Sequence, residues 1–515
     1  MKRFQLALLL AVAWLAVLPL RGGSGGVRAE IRAGKLKARV GEAITFSAGD
    51  SRTDPGRTLS LFSWDFDDRD LVAENAAGPE AVHVFNRTGA YTVKLTVRDD
   101  LGRKDEAFLG IEVMPDADDG PSITADLEGG KTGVLFSSPE TFAFQLEWGN
   151  QFYFRLDNCR DRETSIRIIG YGPNRKQLPS VTPYEDDDTF DGRFTLMYSR
   201  DYQVPDWQPF QAAEYLYDAA DSSLTARFVP EEDSLYFAWS PPWTMRNLRT
   251  LIDRWEENDS FAWRVIGESV EGRPVIALTV TDFREPSQRK KAIWITGTQH
   301  AYEMAAGPVV EGILARLLDG SDSSSALLKN YVYNIVPLMN PDSSVKGGYR
   351  YNQHDIDLNR NWDDLKQDDW DSVKSEPEVA CVKDAIAGWV EDNGTLDLFL
   401  DFHCLTAIAE NLLMIKAAPQ GIPDEISRAQ TRFVSGFLRR RWVFRESESV
   451  NPNSANAFIS REYARRTGVL SFTAEHCLGF ISTAGGKMRR ASPESFRRLG
   501  GDYVELIDAF FTERE

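Results

Sequence analysis

The sequence predicts a multidomain chain in which two N-terminal β-sandwich domains precede an α/β/α domain built on a mixed, mostly parallel central sheet. Three observations predict it. Residues 30 to about 241 are short runs of alternating apolar and polar residues broken by Gly, Asp and Asn, the period of half-buried strands. From about residue 242, near-continuous apolar runs alternate with amphipathic stretches of helical period, the pattern of strands buried between helices. The 515 residues are also enough for several separate cores.

In chain order, residues 1–29 read as a cleavable signal peptide. Lys2 and Arg3 form a basic start, Leu6–Leu20 is an apolar run, and Val27-Arg28-Ala29 offers small residues for cleavage. The expectation is a secreted or periplasmic protein. No later run reaches the roughly 18 apolar residues of a spanning helix, so no stable membrane insertion is expected. No Cys follows the apolar run, which argues against a lipid anchor. Residues 30–115 hold KARVGEAITFSAG, LFSWDFDD, AVHVFNRTGAYTVKLTVRDD and EAFLGIEV, a small β-sandwich. Residues 116–130, PDADDGPSITADLEGG and its neighbours, form a polar linker without periodicity. Residues 131–241 give a second sandwich, rich in aromatic strand formers (FAFQLEWGNQFYFRLDN, TSIRIIGYG, SLYFAWSPPW).

Residues 242–515 form the α/β/α unit. RPVIALTVTDF, KKAIWITGTQ, YVYNIVPLMNP, LDLFLDFHC and VLSFTAEHC read as strands. AAGPVVEGILARLLD, EPEVACVKDAIAGWVED, DEISRAQTRFVSGFLRRR, NAFISREYARRTG and SPESFRRLGGDYVELIDAFFTE read as helices. Sites in such folds collect beyond the carboxyl ends of the strands. His300, Asn340, His403 and Glu475 all fall at or just past such ends.

Composition excludes one class of partner. A net charge of −19 and a pI near 4.9 are wrong for a nucleic-acid surface, which needs an excess of Lys and Arg. Four cysteines (Cys159, Cys381, Cys404, Cys477) are too few for a disulfide scaffold, and strand parity sets Cys404 and Cys477 on opposite faces, so free thiols are expected.

Polar residues at the strand ends carry the chemistry. His300 and Glu303, three apart where a strand gives way to a helix, can face one point, and His403 ends an apolar strand. Two His, one carboxylate and an open position are the donor set of a catalytic zinc site. Asp401 shares a face with His403 by parity and can orient its ring. Glu475 is a carboxylate left over for proton transfer. Arg350, Asn359 and Arg360, in a Gly-rich loop, can clamp an anionic group. Each has a purely structural alternative: a helix-start His with Glu as cap, a buried His bound to a carbonyl, or Arg paired with Asp355, Asp357 or Asp363. His354 is expected to be exposed, and His83 to be a strand residue.

SWDFDD together with HVFNRTGAYTVKLTVRDDLG resembles the polycystic-kidney-disease (PKD) type of Ig-like domain, which implies a spacer or a module with a carbohydrate or protein ligand. QHAYE, NPDSSVKGGYRYNQHDIDLNRNW, DFH and SFTAE, in that order, resemble the zinc metallocarboxypeptidase family of carboxypeptidase A. YRYNQHDIDLNR, and the β-rich stretch from WGNQFYFRLDN to DSLYFAWSPPWTMRNLRTLI, are closest to its cytosolic-carboxypeptidase branch; the likeness covers roughly residues 131–515. It implies one Zn2+ per chain on His300, Glu303 and His403, with Glu475 as general base and acid toward the zinc-activated water. It implies that Arg350 polarises the scissile carbonyl and that Asn359 and Arg360 hold the terminal carboxylate, the substrates being peptide or protein C-terminal tails. Two features depart from the family: Tyr463, the only Tyr in the stretch just before the Glu475 strand, sits in a helical stretch, and Ser343 replaces the usual Gly after Asn-Pro-Asp. Arg461, Arg465 and Arg466 are either a positive specificity pocket or the exposed face of that helix. Two other readings stay open at this stage: a non-catalytic adhesion or binding protein retaining the fold, and a zinc amidase acting on peptidoglycan peptides. The complete ligand set speaks against the first and the Asn359–Arg360 pair against the second.

Overall fold

The computed structural model describes residues 26–512, apart from 68, 70–74, 117–119, 129, 132–133, 138–140, 146–151, 170–195, 211, 219, 221–222, 349, 363–374, 395, 406–411, 417–422, 439–467, 479 and 483–487. The leader run Leu6–Leu20, the helix expected at NAFISREYARRTG with Tyr463, and Arg461, Arg465 and Arg466 lie outside the described residues.

The first unit packs a three-stranded sheet (Arg32–Ala33, Ala43–Ser47, Glu80–Val84) on a five-stranded one centred on the hairpin Gly89–Asp99/Lys104–Met114. Alternation places Ile44, Phe46, Trp64, Val93, Leu95 and Val97 in one core. His83 is a strand residue stacked on Phe66, 4.1 Å between rings. The fold begins before the expected cleavage point. Arg28 N–H donates to the Arg52 carbonyl at 2.7 Å, and Ala29, buried, donates its N–H to Asp105 Oδ2 at 2.8 Å.

The second unit holds two five-stranded sheets around an aromatic core that includes Phe144, Phe154 and Phe237. Part of the expected linker belongs to it: Ser122–Thr124 is a strand antiparallel to Tyr153–Asp157. The following residues are stitched to the first unit, Ala90 N–H donating to the Asp126 carbonyl at 2.7 Å, with Leu127 buried. Lack of periodicity here reflects a chain pinned between two sheets rather than a free tether.

A buried polar seam joins these units to the third. Arg155, fully buried, donates Nη1 to the Gly89 carbonyl (3.0 Å) and Nη2 to that of Val113 (2.7 Å), while its Nε lies 2.7 Å from Asp157. Tyr236 donates its hydroxyl to Glu112 at 2.5 Å. The helix that opens the third unit, α1 (Met245–Trp255), joins in: Arg249 grips Asp105 with both Nη groups at 2.9 and 3.3 Å, and Arg246 lies over the Tyr202 ring at 4.0 Å.

Numbering the strands of the third unit in chain order gives β1 (Phe261–Glu268), β2 (Pro274–Val280), β3 (Lys291–Gly297), β4 (Tyr331–Val336), β5 (Leu398–Leu405), β6 (Leu412–Lys416) and β7 (Leu470–Cys477). They form one sheet of order β1-β2-β4-β3-β5-β7-β6. The four central strands β4, β3, β5 and β7 run parallel, and the outer strands are antiparallel. The remaining helices are α2 (Ala306–Leu317), α3 (Asp322–Asn330), α4 (Pro341–Val345), α5 (Pro377–Asn393), α6 (Asp424–Leu438) and α7 (Pro493–Thr512). Helix α5 covers one face through Val379, Val382 and Ile386, whereas α1, α2, α6 and α7 cover the other. Strands β4 and β7 are buried on both faces: every residue of each is buried, the polar Asn334, Ser471, Thr473, Glu475 and His476 included. All four cysteines are free, as expected. No helix among the described residues is long and apolar enough to cross a membrane.

Candidate active site

The parallel strands end together, and their ends carry the predicted donors. After Gly297 the chain leaves β3, and the next strand residue to fall out of the ladder, Thr298, sits at φ 52° with its hydroxyl on the Pro337 carbonyl at 3.0 Å. A β-branched residue in the left-handed region is strained. The turn it starts brings His300 and Glu303 round to one point, closed by Glu303 N–H on the His300 carbonyl at 3.0 Å. The expected three-residue juxtaposition is therefore made by a turn, and the helix begins later, at Ala306.

His300 Nδ1 lies 2.7 Å from one Glu303 oxygen and His403 Nδ1 2.7 Å from the other. All three donors fall within 4.8 Å of one another and all are buried. The other ring nitrogens are held from outside: His300 Nε2 by Asp357 Oδ1 at 3.0 Å, His403 Nε2 by Asp401 Oδ2 at 2.8 Å. Two imidazoles with Nδ1 turned to a shared point and Nε2 anchored on a carboxylate have the chemistry of metal ligands with oriented rings. Asp401 was foreseen from strand parity. Asp357 was foreseen only as an ion-pair partner for Arg350; it does bind Arg350 Nε, at 2.7 Å, but reaches His300 as well.

Electrostatics agrees. Burial disfavours charge on both rings, yet Glu303 and the outer carboxylates raise His300 and raise His403 well above the ordinary range. Burial likewise opposes ionisation of Glu303, but the two imidazoles hold it below its ordinary value. Asp357, against its own burial, is held down at about 2 by His300 and Arg350. Carboxylates outnumber fixed cations here, so the cluster draws in positive charge: protons on the rings, or a divalent ion in their place. The donor set fits Zn2+ with a position left open.

Glu475 is the in-register neighbour of His403 across β5 and β7 and so shares its face. It is buried, and among the described residues its Oε2 has no hydrogen-bond partner. Burial first, and the Glu303 charge second, push its carboxyl up to about 7. Arg350 is half-buried, and Arg360, at the exposed rim, donates Nη1 to the Asn359 carbonyl at 3.0 Å. Asn359 Nδ2 sits 3.0 Å from His403 Nε2, and its Oδ1 finds no partner among the described residues. The loop bearing Arg350 is fastened at α4 by its N-cap Asn340, whose Nδ2 donates to the Gln299 and Tyr351 carbonyls at 3.2 Å, and by Ser343, whose hydroxyl donates to the Tyr351 carbonyl at 2.7 Å. Ser343 in place of the usual Gly thus supplies a bond. His354 is exposed and bound to Glu376, away from the cluster.

Sequence reasoning passed over His476. It is fully buried beside Glu475, and burial pushes its pKa down to about 4, leaving it neutral.

Residues 249–409 match the family model described as zinc carboxypeptidase (Peptidase_M14), and residues 29–113 match that of the PKD domain. The chain is 26% identical to the uncharacterized protein ZMO1242 of Zymomonas mobilis over 400 residues, 75% of this chain and 95% of that protein. It is 31% identical to mouse cytosolic carboxypeptidase 6 over 212 residues, 39% of this chain and 38% of that enzyme. The fold is that of solved metallo-carboxypeptidases from Burkholderia cenocepacia (TM-score 0.58, 23% identity, 76% of this chain and 99% of that one) and Pseudomonas aeruginosa (TM-score 0.59, 22% identity, 76% and 99%).

Proposed function

We propose, from the premise that this chain carries a Peptidase M14 zinc metallocarboxypeptidase domain behind a PKD domain, that it removes the C-terminal residue of peptides or proteins outside the cytoplasm. One observation carries the reading: three buried donors point Nδ1, Nδ1 and a carboxylate at one spot, beside a same-face carboxylate with an oxygen left unbonded. Zn2+ on His300, Glu303 and His403 supplies Lewis-acid activation of a water and of the scissile carbonyl.

This chain's own residues supply the rest. Glu475, poised near neutrality, takes the proton of the attacking water and returns it to the leaving amine. Arg350, its guanidinium plane fixed by Asp357, meets the charge that develops on the carbonyl oxygen. Asn359 and Arg360 receive the terminal carboxylate. His403 Nε2 cannot donate to Asp401 and accept from Asn359 at once. An Asn359 amide that turns its oxygen to that ring leaves its NH2 free for a carboxylate. A bound chain end restricts attack to the last peptide bond.

The test is a pair of peptides differing only at the end, one free acid and one amide. Cleavage of the acid alone is expected, and equal cleavage of both removes the carboxylate clamp from the mechanism. The basic and apolar leader supports export. Because Arg28 and Ala29 bond into the sandwich, the mature chain is expected to keep both. N-terminal sequencing of exported material checks this, and a chain starting at Glu30 overturns it.

A further inference from the structure

Beyond His403, strand β5 outruns its neighbour β3, whose last register partner is Gly297 opposite Phe402. The next peptide group, His403–Cys404, is held at both ends by side chains. Its N–H, on Cys404, donates to Glu303 Oε2 at 3.0 Å. Its carbonyl, on His403, lies 2.8 Å from His476 Nδ1. A carbonyl can only accept, so Nδ1 carries the proton and Nε2 is left as the acceptor for the Tyr503 hydroxyl, 3.2 Å away. The His476 ring stands edge-on to Phe402, 5.0 Å between centroids and 89° between planes. Tyr503 comes from α7, which meets α2 backbone to backbone. A Cβ on Gly312 would lie 1.9 Å from the Arg497 carbonyl oxygen, and one on Gly500 would lie 2.1 Å from that of Val309. Helix α2 starts just after Glu303. One rigid contact therefore reaches both the chain that carries Glu303 and, through Tyr503 and His476, the peptide that binds it.

We propose that His476 is a positioning residue of the zinc centre: it fixes and polarises the His403–Cys404 peptide, whose N–H aims a Glu303 oxygen and whose orientation sets the His403 ring. Hydrogen bonds in series strengthen one another, so donation to the carbonyl sharpens the N–H as a donor to the ligand carboxylate. The proposal rests on the zinc centre described above. His476 touches neither substrate nor metal.

The experiment compares two amides of similar polarity with the wild type. His476→Asn keeps a donor near Nδ1, facing the carbonyl, whereas His476→Gln moves the donor toward the Nε2 position. Zinc dissociation constants are read by chelator competition, and the visible spectrum is read on the cobalt-substituted protein. The Gln variant is expected to bind zinc about 10- to 100-fold more weakly, with an altered cobalt spectrum and lower kcat at unchanged KM, and the Asn variant to stay within about threefold of wild type. Tyr503→Phe, which leaves the Nδ1 donor in place, is expected to fall between them. Equal zinc affinity and one cobalt spectrum across the three variants and wild type overturn the proposal. Wild-type protein that takes up no zinc fails the zinc site itself, a separate result.

Discussion

Where the PKD sheet meets the second β unit, Arg155 is buried against Asp157 and two carbonyls, and Glu112 against the Tyr236 hydroxyl. At the strand ends of the third unit, Glu303, Asp357, Asp401 and Glu475 crowd around two imidazoles. Both regions bury charge, and buried charge is costly unless compensated. In the seam the charges are already paired, since Arg155, Arg246 and Arg249 each sit against a carboxylate, even though Arg155 Nε, Arg246 Nε and Glu128 Oε1 make no hydrogen bond among the described residues. At the strand ends they are not: four carboxylates (Glu303, Asp357, Asp401 and Glu475) face two imidazoles and the two arginines Arg350 and Arg360. A closed network holds units together. An open one waits for a metal and a substrate.

The largest effect that separates the two is expected at Glu475. Glu475→Gln keeps size and strand contacts, so zinc content and thermal midpoint should stay at wild-type values while kcat falls by about 10²- to 10⁴-fold. Turnover within tenfold of wild type would place the proton transfer elsewhere.

Arg155→Met probes the closed network in the same way. It strips Asp157 of its cation, leaving only the Ser234 hydroxyl on it, and takes the Arg155 donors from the Gly89 and Val113 carbonyls. A loss of about 3–5 kcal/mol is expected, read as a lower denaturant midpoint, with zinc content and kcat of the folded protein unchanged. A stable variant would show that the PKD unit is a detachable spacer after all.

Zinc affinity as a function of pH gives the next effect in size. His300 and His403 are raised above the ordinary histidine range, so protons compete for both Nδ1 atoms up to a higher pH than usual. Glu303 is lowered, stays ionised and adds no dependence. Affinity should therefore weaken as pH falls, by up to roughly 100-fold per unit if both rings take up a proton. Isothermal titration at three pH values measures the slope, and a flat profile would mean that the imidazoles do not bind the ion.

The open site was far more legible in the sequence than the closed seam. Donors at strand ends interrupt apolar runs, so His403 in LDLFLDFHC and Glu475 in VLSFTAEHC stand out against their surroundings. The seam residues sit inside strands, where simple alternation gives no reason to expect a polar residue to be covered. All five residues of Tyr153–Asp157 are buried, one face on its own sandwich and the other on the PKD sheet, so alternation carried no sign of which polar residue was covered. Helix α3 and strand β1 were also missed: DSSSALLKN is short and polar, and FAWRVIGE lies at a sheet edge, half-exposed. His476 was invisible for a third reason. Its role depends on a peptide carbonyl one strand away, a partner that no side-chain pattern records.

Within the seam, Glu112 offers the smallest and sharpest distinction, because it has two partners of opposite exposure. The Tyr236 hydroxyl is buried and donates at 2.5 Å, whereas the Lys37 ammonium, 3.1 Å away, belongs to a side chain that is 61% exposed. If closure of the network by buried donors is what stabilises the seam, Tyr236→Phe should cost about 1–3 kcal/mol, since it leaves a buried carboxylate oxygen without its donor. Lys37→Ala should cost about 0–1 kcal/mol, because water screens that pair and replaces the ammonium. Denaturant midpoints of the two variants rank them. The reverse order would mean that Glu112 is held by long-range charge and that the seam, like the zinc site, is an electrostatic balance with the solvent taking part.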